Sequence, residues 1–184
     1  MNIHSLFALL GPNFANIVVS GCQRCGTNIA SKMIAHSTGF EHVPETEIGI
    51  RDRDLYRKRL RGKKQVLHAP GMSYQLGGFP GDDEVLFIWM ERDRHEIVQS
   101  MKRIKWVGAK DELRLGGWSQ ESPTPLLDVV TMKAQQRDHY LKHQKLTFLT
   151  FHYRQLDGHP LWVEDALRGG WTERQTSDSF TSKP

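Results

Sequence analysis

Cysteine is scarce in this chain: two in 184 residues, Cys22 and Cys25, three positions apart. So close a pair cannot build the disulfide framework that staples small secreted domains, and the scarcity fits a reducing compartment. Long apolar runs are missing too. Nothing approaches the roughly 20 apolar residues that cross a bilayer. Ser5 to Leu10 is too short, and too weakly basic at its start, for a secretion signal. The expectation is a soluble, cytoplasmic protein without a membrane span. No internal repeat is visible, which sets solenoid architectures aside.

Acidic charge is also in short supply, with 21 Asp and Glu against 25 Lys and Arg, for a net charge of +4. That balance suits an anionic ligand. Much of the surplus lies between Arg51 and Lys64, where eight Lys and Arg face two Asp. Such a run can meet nucleic acid, an acidic membrane surface or a sulfated polymer, and it is equally a solvated helix face. Tyr56 is its lone aromatic, so the interleaved stacking platform of single-strand binders is absent and no specific nucleic-acid partner is expected.

What is present begins at Asn16. Ile17, Val18 and Val19 form a β-branched apolar run ended by Gly21, and Ile29, Ala30, Met33 and Ile34 recur with helical spacing. Between strand and helix lies a loop bracketed by Gly21 and Gly26. Unpaired N–H groups and the positive dipole end at a helix start attract anions, and glycine lets backbone approach them closely. A ligand-free glycine turn explains the same residues equally well.

One lysine is conspicuously missing from that loop. Gly21 and Gly26 have the spacing of the nucleotide-triphosphate pattern G-x-x-x-x-G-K-[ST], but Thr27 stands for the lysine and Asn28 for the magnesium-binding hydroxyl. An ATP or GTP hydrolase is therefore disfavoured, and a small-molecule kinase with it. The cation is Arg24, in the order Arg24-Cys25-Gly26-Thr27-Asn28. This order resembles the 5′-phosphosulfate loop of sulfotransferases, in which Lys or Arg precedes Ser-Gly-Thr-Thr; Cys25 and Asn28 depart from it. A sulfuryl group carries less charge than a phosphoryl group, so loop amides and one guanidinium can serve without a metal.

Further strands are expected at Gln65 to His68, Glu84 to Met90 and Leu146 to Phe151, with a short extended segment at Gly39 to Glu47. Helices are expected at Asp52 to Leu60, from a capping box formed by Asp93 and Glu96, from Thr124 and Pro125, and from Pro160. Lys105 to Pro123, with Trp106 and Trp118, reads as a long loop. The alternation predicts an α/β fold of three layers, a P-loop-type parallel sheet with helices on both faces. Residues 1–171 form one domain in this reading, and 172–184 a polar tail. In such sheets, residues that follow different strands converge beyond the carboxyl edge. Gly21 to Asn28, His68 and Arg92 all hold that position.

His68, in Val-Leu-His-Ala-Pro, resembles the strand-end histidine of cytosolic sulfotransferases, the base that takes the acceptor's proton. Arg92 after an apolar strand, with Ser100 eight residues on, resembles the same family's 3′-phosphate signature. By residues alone, His68 can simply bond a carbonyl, and Arg92 can pair with Asp93 or Glu96. The order of the three elements along one chain is what carries the resemblance. It implies a sulfotransferase that uses 3′-phosphoadenosine 5′-phosphosulfate, without a metal, on a hydroxyl or amine of a small-molecule or glycan acceptor. Gly21, Cys22, Gln23, Arg24, Cys25, Gly26, Thr27 and Asn28 would hold the donor with Arg92 and Ser100. Arg24 and His68 would carry the chemistry.

Two rival readings use the same segment. Cys22-Gln23-Arg24-Cys25 at a helix start is also the layout of a thioredoxin-like redox site, where the helix dipole and Arg24 favour thiolate. A non-catalytic nucleotide-binding or polyanion-binding module is the other.

Overall fold

A computed structural model describes residues 2–48, 53–74, 84–103, 126–143 and 147–162. Strands β1 (Asn16–Gly21), β2 (Glu41–Val43), β3 (Gln65–His68), β4 (Val85–Glu91) and β5 (Thr147–His152) form one five-stranded sheet in the order β2-β3-β1-β4-β5. Every pairing is parallel. The helices are α1 (Ile3–Ala8), α2 (Thr27–Thr38), α3 (Glu45–Ile48), α4 (Arg53–Leu60), α5 (Arg94–Arg103) and α6 (Leu126–His143).

The alternation of side chains across the central strands builds two cores. Ile17 and Val19 of β1, with Leu86, Ile88 and Met90 of β4, face Phe7 of α1 and Ala30, Met33 and Ile34 of α2. Val18, Leu67, Phe87 and Trp89 point the other way, towards Ile48 of α3 and Tyr56 of α4. Both faces are therefore covered, and the α/β fold expected from the sequence is the fold observed. All six residues of β1 are buried. A strand with no solvent face carries apolar residues towards both sides, which is why Ile17, Val18 and Val19 read as a continuous run.

Buried polar side chains fix the ends of this sheet. Asn16 donates from Nδ2 to the carbonyls of Leu60 (2.9 Å) and Gly62 (2.7 Å), while its Oδ1 accepts from Gln65 N–H. One side chain thus ties the turn after α4 to the start of the central strand. Part of the basic segment is structural as well: Lys64 has a left-handed backbone, donates from Nζ to the Gly11 carbonyl and lies over the Phe40 ring. Arg57 and Arg59 form exposed pairs with Asp54 and Glu47, as a solvated helix face does.

Several expectations need correction. The extended segment predicted for Gly39 to Glu47 is a strand only at Glu41–Val43. Pro44 cannot donate to a ladder, and Glu45 and Glu47 suit the first turn of α3. The apolar stretch near the start is part of α1, capped by Asn2, whose Oδ1 accepts from Ser5 N–H. At the β4–α5 junction Asp93 accepts from the N–H groups of His95 and Glu96, but the Glu96 carboxylate turns to two arginines instead of closing a capping box. Pro160 lies in a turn closed by Trp162 N–H on the His159 carbonyl (2.7 Å), not in a helix. The Lys105–Pro123 loop with Trp106 and Trp118, the Thr124–Pro125 helix start and the 172–184 tail lie outside the described residues.

Helix α2 is bounded by two left-handed residues, Gly26 (φ 96°) and Gly39 (φ 71°), with different surroundings. A Cβ at Gly26 would meet the Tyr153 ring at 2.5 Å, whereas one at Gly39 would meet nothing within 4 Å. Gly39→Ala is expected to cost about 1 kcal/mol of stability from backbone strain alone, and Gly26→Ala about 2 kcal/mol or more. Chemical denaturation of the two variants checks this, and equal losses would contradict the Tyr153 contact.

Candidate functional site

The carboxyl ends of β1, β3 and β4 open on one edge of the sheet, and the candidate residues gather there. The β1–α2 loop turns sharply, with Cys25 N–H donating to the Cys22 carbonyl (3.2 Å) and Arg24 in the left-handed region (φ 69°). Gly21 makes the turn possible: a Cβ there would stand 2.7 Å from both the Cys25 sulfur and the Met90 carbonyl oxygen. The space between β1, β4 and Cys25 therefore admits no side chain where the loop begins. Cys25 points into the core, while Arg24 and Asn28 are exposed.

Arg24 is not loose despite its exposure. Its Nε donates to Ser100 Oγ (3.1 Å), a buried hydroxyl on α5 that is 76 residues away in sequence. The structure thus joins two predicted site residues directly. It also joins a second pair, since His68 Nε2 lies 3.0 Å from Thr27 Oγ1 in the first turn of α2. Burial, with help from His42 and Lys32, pulls the His68 pKa from 6.5 down to about 3. The imidazole is neutral throughout the physiological range.

Arg92 has a different situation. Its guanidinium lies over the Tyr153 ring, 4.3 Å from the centroid, and donates from Nε to Glu96 (2.8 Å). Arg154, on the turn after β5, reaches the other oxygen of the same carboxylate (2.6 Å). The Glu96 pKa falls below the usual carboxylate range because of these two arginines. Arg92 thus pairs with Glu96, and Ser100 with Arg24. A basic cleft of 520 Å³ lined by Arg92, Gln99, Lys102, Arg103 and Arg154 surrounds the Glu96 carboxylate.

Sequence reasoning missed Lys133. This lysine of α6 is 1% exposed, and its ammonium donates to Gln23 Oε1 in the β1–α2 loop. Burial lowers its pKa from 10.5 to about 8, against the opposing pull of Cys22, Cys25 and Glu45. The loop without a lysine of its own receives one from a helix 110 residues downstream. No motif spacing could have revealed it; the only available signal was a lysine inside the amphipathic pattern of α6. Glu45, the nearby carboxylate, accepts from Gly71 N–H and has its pKa raised by burial. Beside Cys22 and Lys133, a cleft of 540 Å³ runs between the end of β4 and α6, with Trp89, Arg92 and Arg137 also on its walls. Its volume is that of a small-ligand pocket.

Cys25 has little thiolate character. Both cysteines are buried free thiols, and burial, reinforced by Cys22, pushes the Cys25 pKa well above its ordinary value. Desolvation outweighs the helix dipole, and the thiolate that a redox motif needs is disfavoured.

No family model and no curated protein matches this sequence. Among solved structures, the YorR protein of Bacillus subtilis, determined in complex with phosphorylated GDP, is similar over 76% of this chain and 86% of its own, at 10% identity and a TM-score of 0.45. At that level the likeness says nothing of ligand or activity. No helix among the described residues is long and apolar enough to cross a membrane.

The His68 environment has a measurable consequence. In the unfolded chain the imidazole takes a proton near pH 6.5, and in the fold only near 3. The unfolded state therefore binds more protons in that window, so stability is lost as pH falls from 6.5 towards 3, by at most about 1.4 kcal/mol per pH unit for this group. Denaturation between pH 4.5 and 6.5 should give a shallower slope for His68→Asn than for the natural chain. Identical slopes would contradict the assignment.

Proposed function

We propose that this chain is a sulfotransferase that moves a sulfuryl group from 3′-phosphoadenosine 5′-phosphosulfate to a hydroxyl or amine of a small-molecule or glycan acceptor. The observation that carries the reading is the contact of His68 with Thr27, which puts a neutral imidazole within hydrogen-bond reach of a glycine-bracketed anion loop. A base beside an anion cradle is what sulfuryl transfer to a hydroxyl requires.

In this reading the loop amides from Cys25 to Asn28 hold the donor's 5′-phosphate at the start of α2. The acceptor oxygen attacks sulfur, its proton passes to His68, and the bond between sulfur and the bridging oxygen breaks. Adenosine 3′,5′-bisphosphate leaves with the bonding electrons. Arg24, aimed by Ser100, and Lys133 supply positive charge to the departing oxygen. The low basicity of His68 is corrected on binding, because the donor's negative charge beside the ring favours the imidazolium. Arg92 receives the 3′-phosphate in the basic cleft, in exchange for Glu96.

One observation favours a second reading, phosphoryl transfer from a nucleoside triphosphate: the Lys133 ammonium supplies the cation whose absence argued against it. Thermal shift with adenosine 3′,5′-bisphosphate, AMP and magnesium ATP separates the two, since a ligand of the folded state raises its melting temperature. The bisphosphate should stabilise most; stabilisation by magnesium ATP alone would overturn the sulfotransferase reading. Arg24→Ala should lower transfer by about 10² or more while weakening bisphosphate binding far less, and equal losses would remove its transition-state role.

Lys133 makes anion affinity depend on alkaline pH. Gln23, Cys22, Cys25 and Glu45 are among the groups that face it, and its charge is lost as pH rises through about 8. Bisphosphate affinity of the natural chain should fall above pH 8 more steeply than that of Lys133→Met, whose affinity should be lower from the outset. Parallel pH profiles, measured by titration calorimetry, would exclude the lysine from the binding site.

A further inference from the structure

Away from the loop, at the other end of α2, three imidazoles from three separate elements converge. His4 belongs to α1, His36 to the last turn of α2, and His159 to the turn that follows Leu156. Their ring centroids lie 5.3 to 5.7 Å apart. One ring nitrogen from each falls within 4.8 Å of the others. We propose that His4, His36 and His159 form a binding site for a zinc-type divalent transition cation, which clamps the first helix to the end of α2 and to the turn after β5.

Neutral imidazole is the form that binds such ions, and hydrogen bonds hold the His159 ring in that form. His159 Nδ1 accepts from Leu161 N–H (3.1 Å), so its proton sits on Nε2, 2.9 Å from Ser37 Oγ. The Ser37 hydroxyl lies in turn 2.8 Å from His4 Nδ1. Burial and the two other imidazoles lower the His159 pKa, in the same sense. Three rings at this spacing cannot all be protonated without mutual repulsion, whereas one dication satisfies three lone pairs at once.

Binding draws the three rings together. Zinc holds imidazole nitrogens at about 2.0–2.1 Å, hence about 3.4 Å from one another in a tetrahedral site. His159 is buried and acts as the fixed ligand; His36 is exposed and His4 half-buried, so both can turn inwards. Binding through Nε2 of His159 moves that ring's proton to Nδ1 and gives up the Leu161 and Ser37 hydrogen bonds. No proton is released and no oxidation state changes. Three imidazoles leave a fourth position for water, on the side where His36 meets solvent.

The test is titration of the metal-stripped full chain with zinc chloride, followed by calorimetry and by melting temperature with and without chelator. One equivalent should bind, and the melting temperature should rise by several degrees and return on chelation. His36→Ala removes an exposed side chain, so its metal-free melting temperature should match that of the natural chain while zinc affinity falls at least about tenfold. His4→Ala should lose affinity similarly. Absence of saturable binding, affinity unchanged in both variants, or binding lost instead in Cys22→Ser would each overturn the assignment.

Discussion

Everything at the candidate site depends on the crowding around Gly21, where neither β4 nor Cys25 leaves room for a side chain. The central strand is buried along its whole length, so its exit has no solvent side on which to relax. Gly21 has room for neither a methyl group nor a shift, with the Met90 carbonyl on one side and the Cys25 sulfur on the other. That crowding forces the chain into the turn that presents Arg24 outward and Cys25 inward. The turn in turn delivers Thr27 to His68 and Gln23 to Lys133. Cys25 thus plugs the underside of the loop, a packing role that matches its suppressed ionisation.

Two cations of opposite character attend this loop. Arg24 is exposed, permanently charged and bonded to the Ser100 hydroxyl. Lys133 is buried, its pKa lowered by that burial to about 8, and its ammonium is held by the Gln23 amide oxygen and the nearby Glu45 carboxylate. An anion arriving at the loop strengthens the second far more than the first, because a buried ammonium gains most from a new counter-charge. Under the proposed function, the donor's phosphate would favour the charged form of Lys133, which burial now disfavours.

Much of this was legible in the sequence, for physical reasons. A strand buried on both faces leaves an uninterrupted apolar run, so β1 and β4 stood out. Parallel topology then made the convergence of Gly21, His68 and the residues after β4 a matter of geometry. Local chemistry was less legible where tertiary partners decide it. Glu96 reads as a capping residue until Arg154, 58 positions on, claims its second oxygen. Ser100 and Arg92 read as partners, yet Ser100 serves Arg24. Lys133 and the three clustered histidines had no signature, because each joins elements whose neighbourhood only the fold creates.

The shared carboxylate of Glu96 gives the basic cleft the character of an exchange site. Its single charge is shared by Arg92 and Arg154, so a phosphate arriving there under the proposed function exchanges with a resident anion at those two guanidiniums. At those two contacts the gain is the difference between two anions, which moderates how tightly a spent nucleotide would be retained. When the phosphate departs, Glu96 is on hand to re-pair the guanidiniums, and the return of the side chain helps to expel the product. The same carboxylate keeps Arg92 stacked on Tyr153 in the interval, so the cleft is preorganised between turnovers at the cost of tight binding.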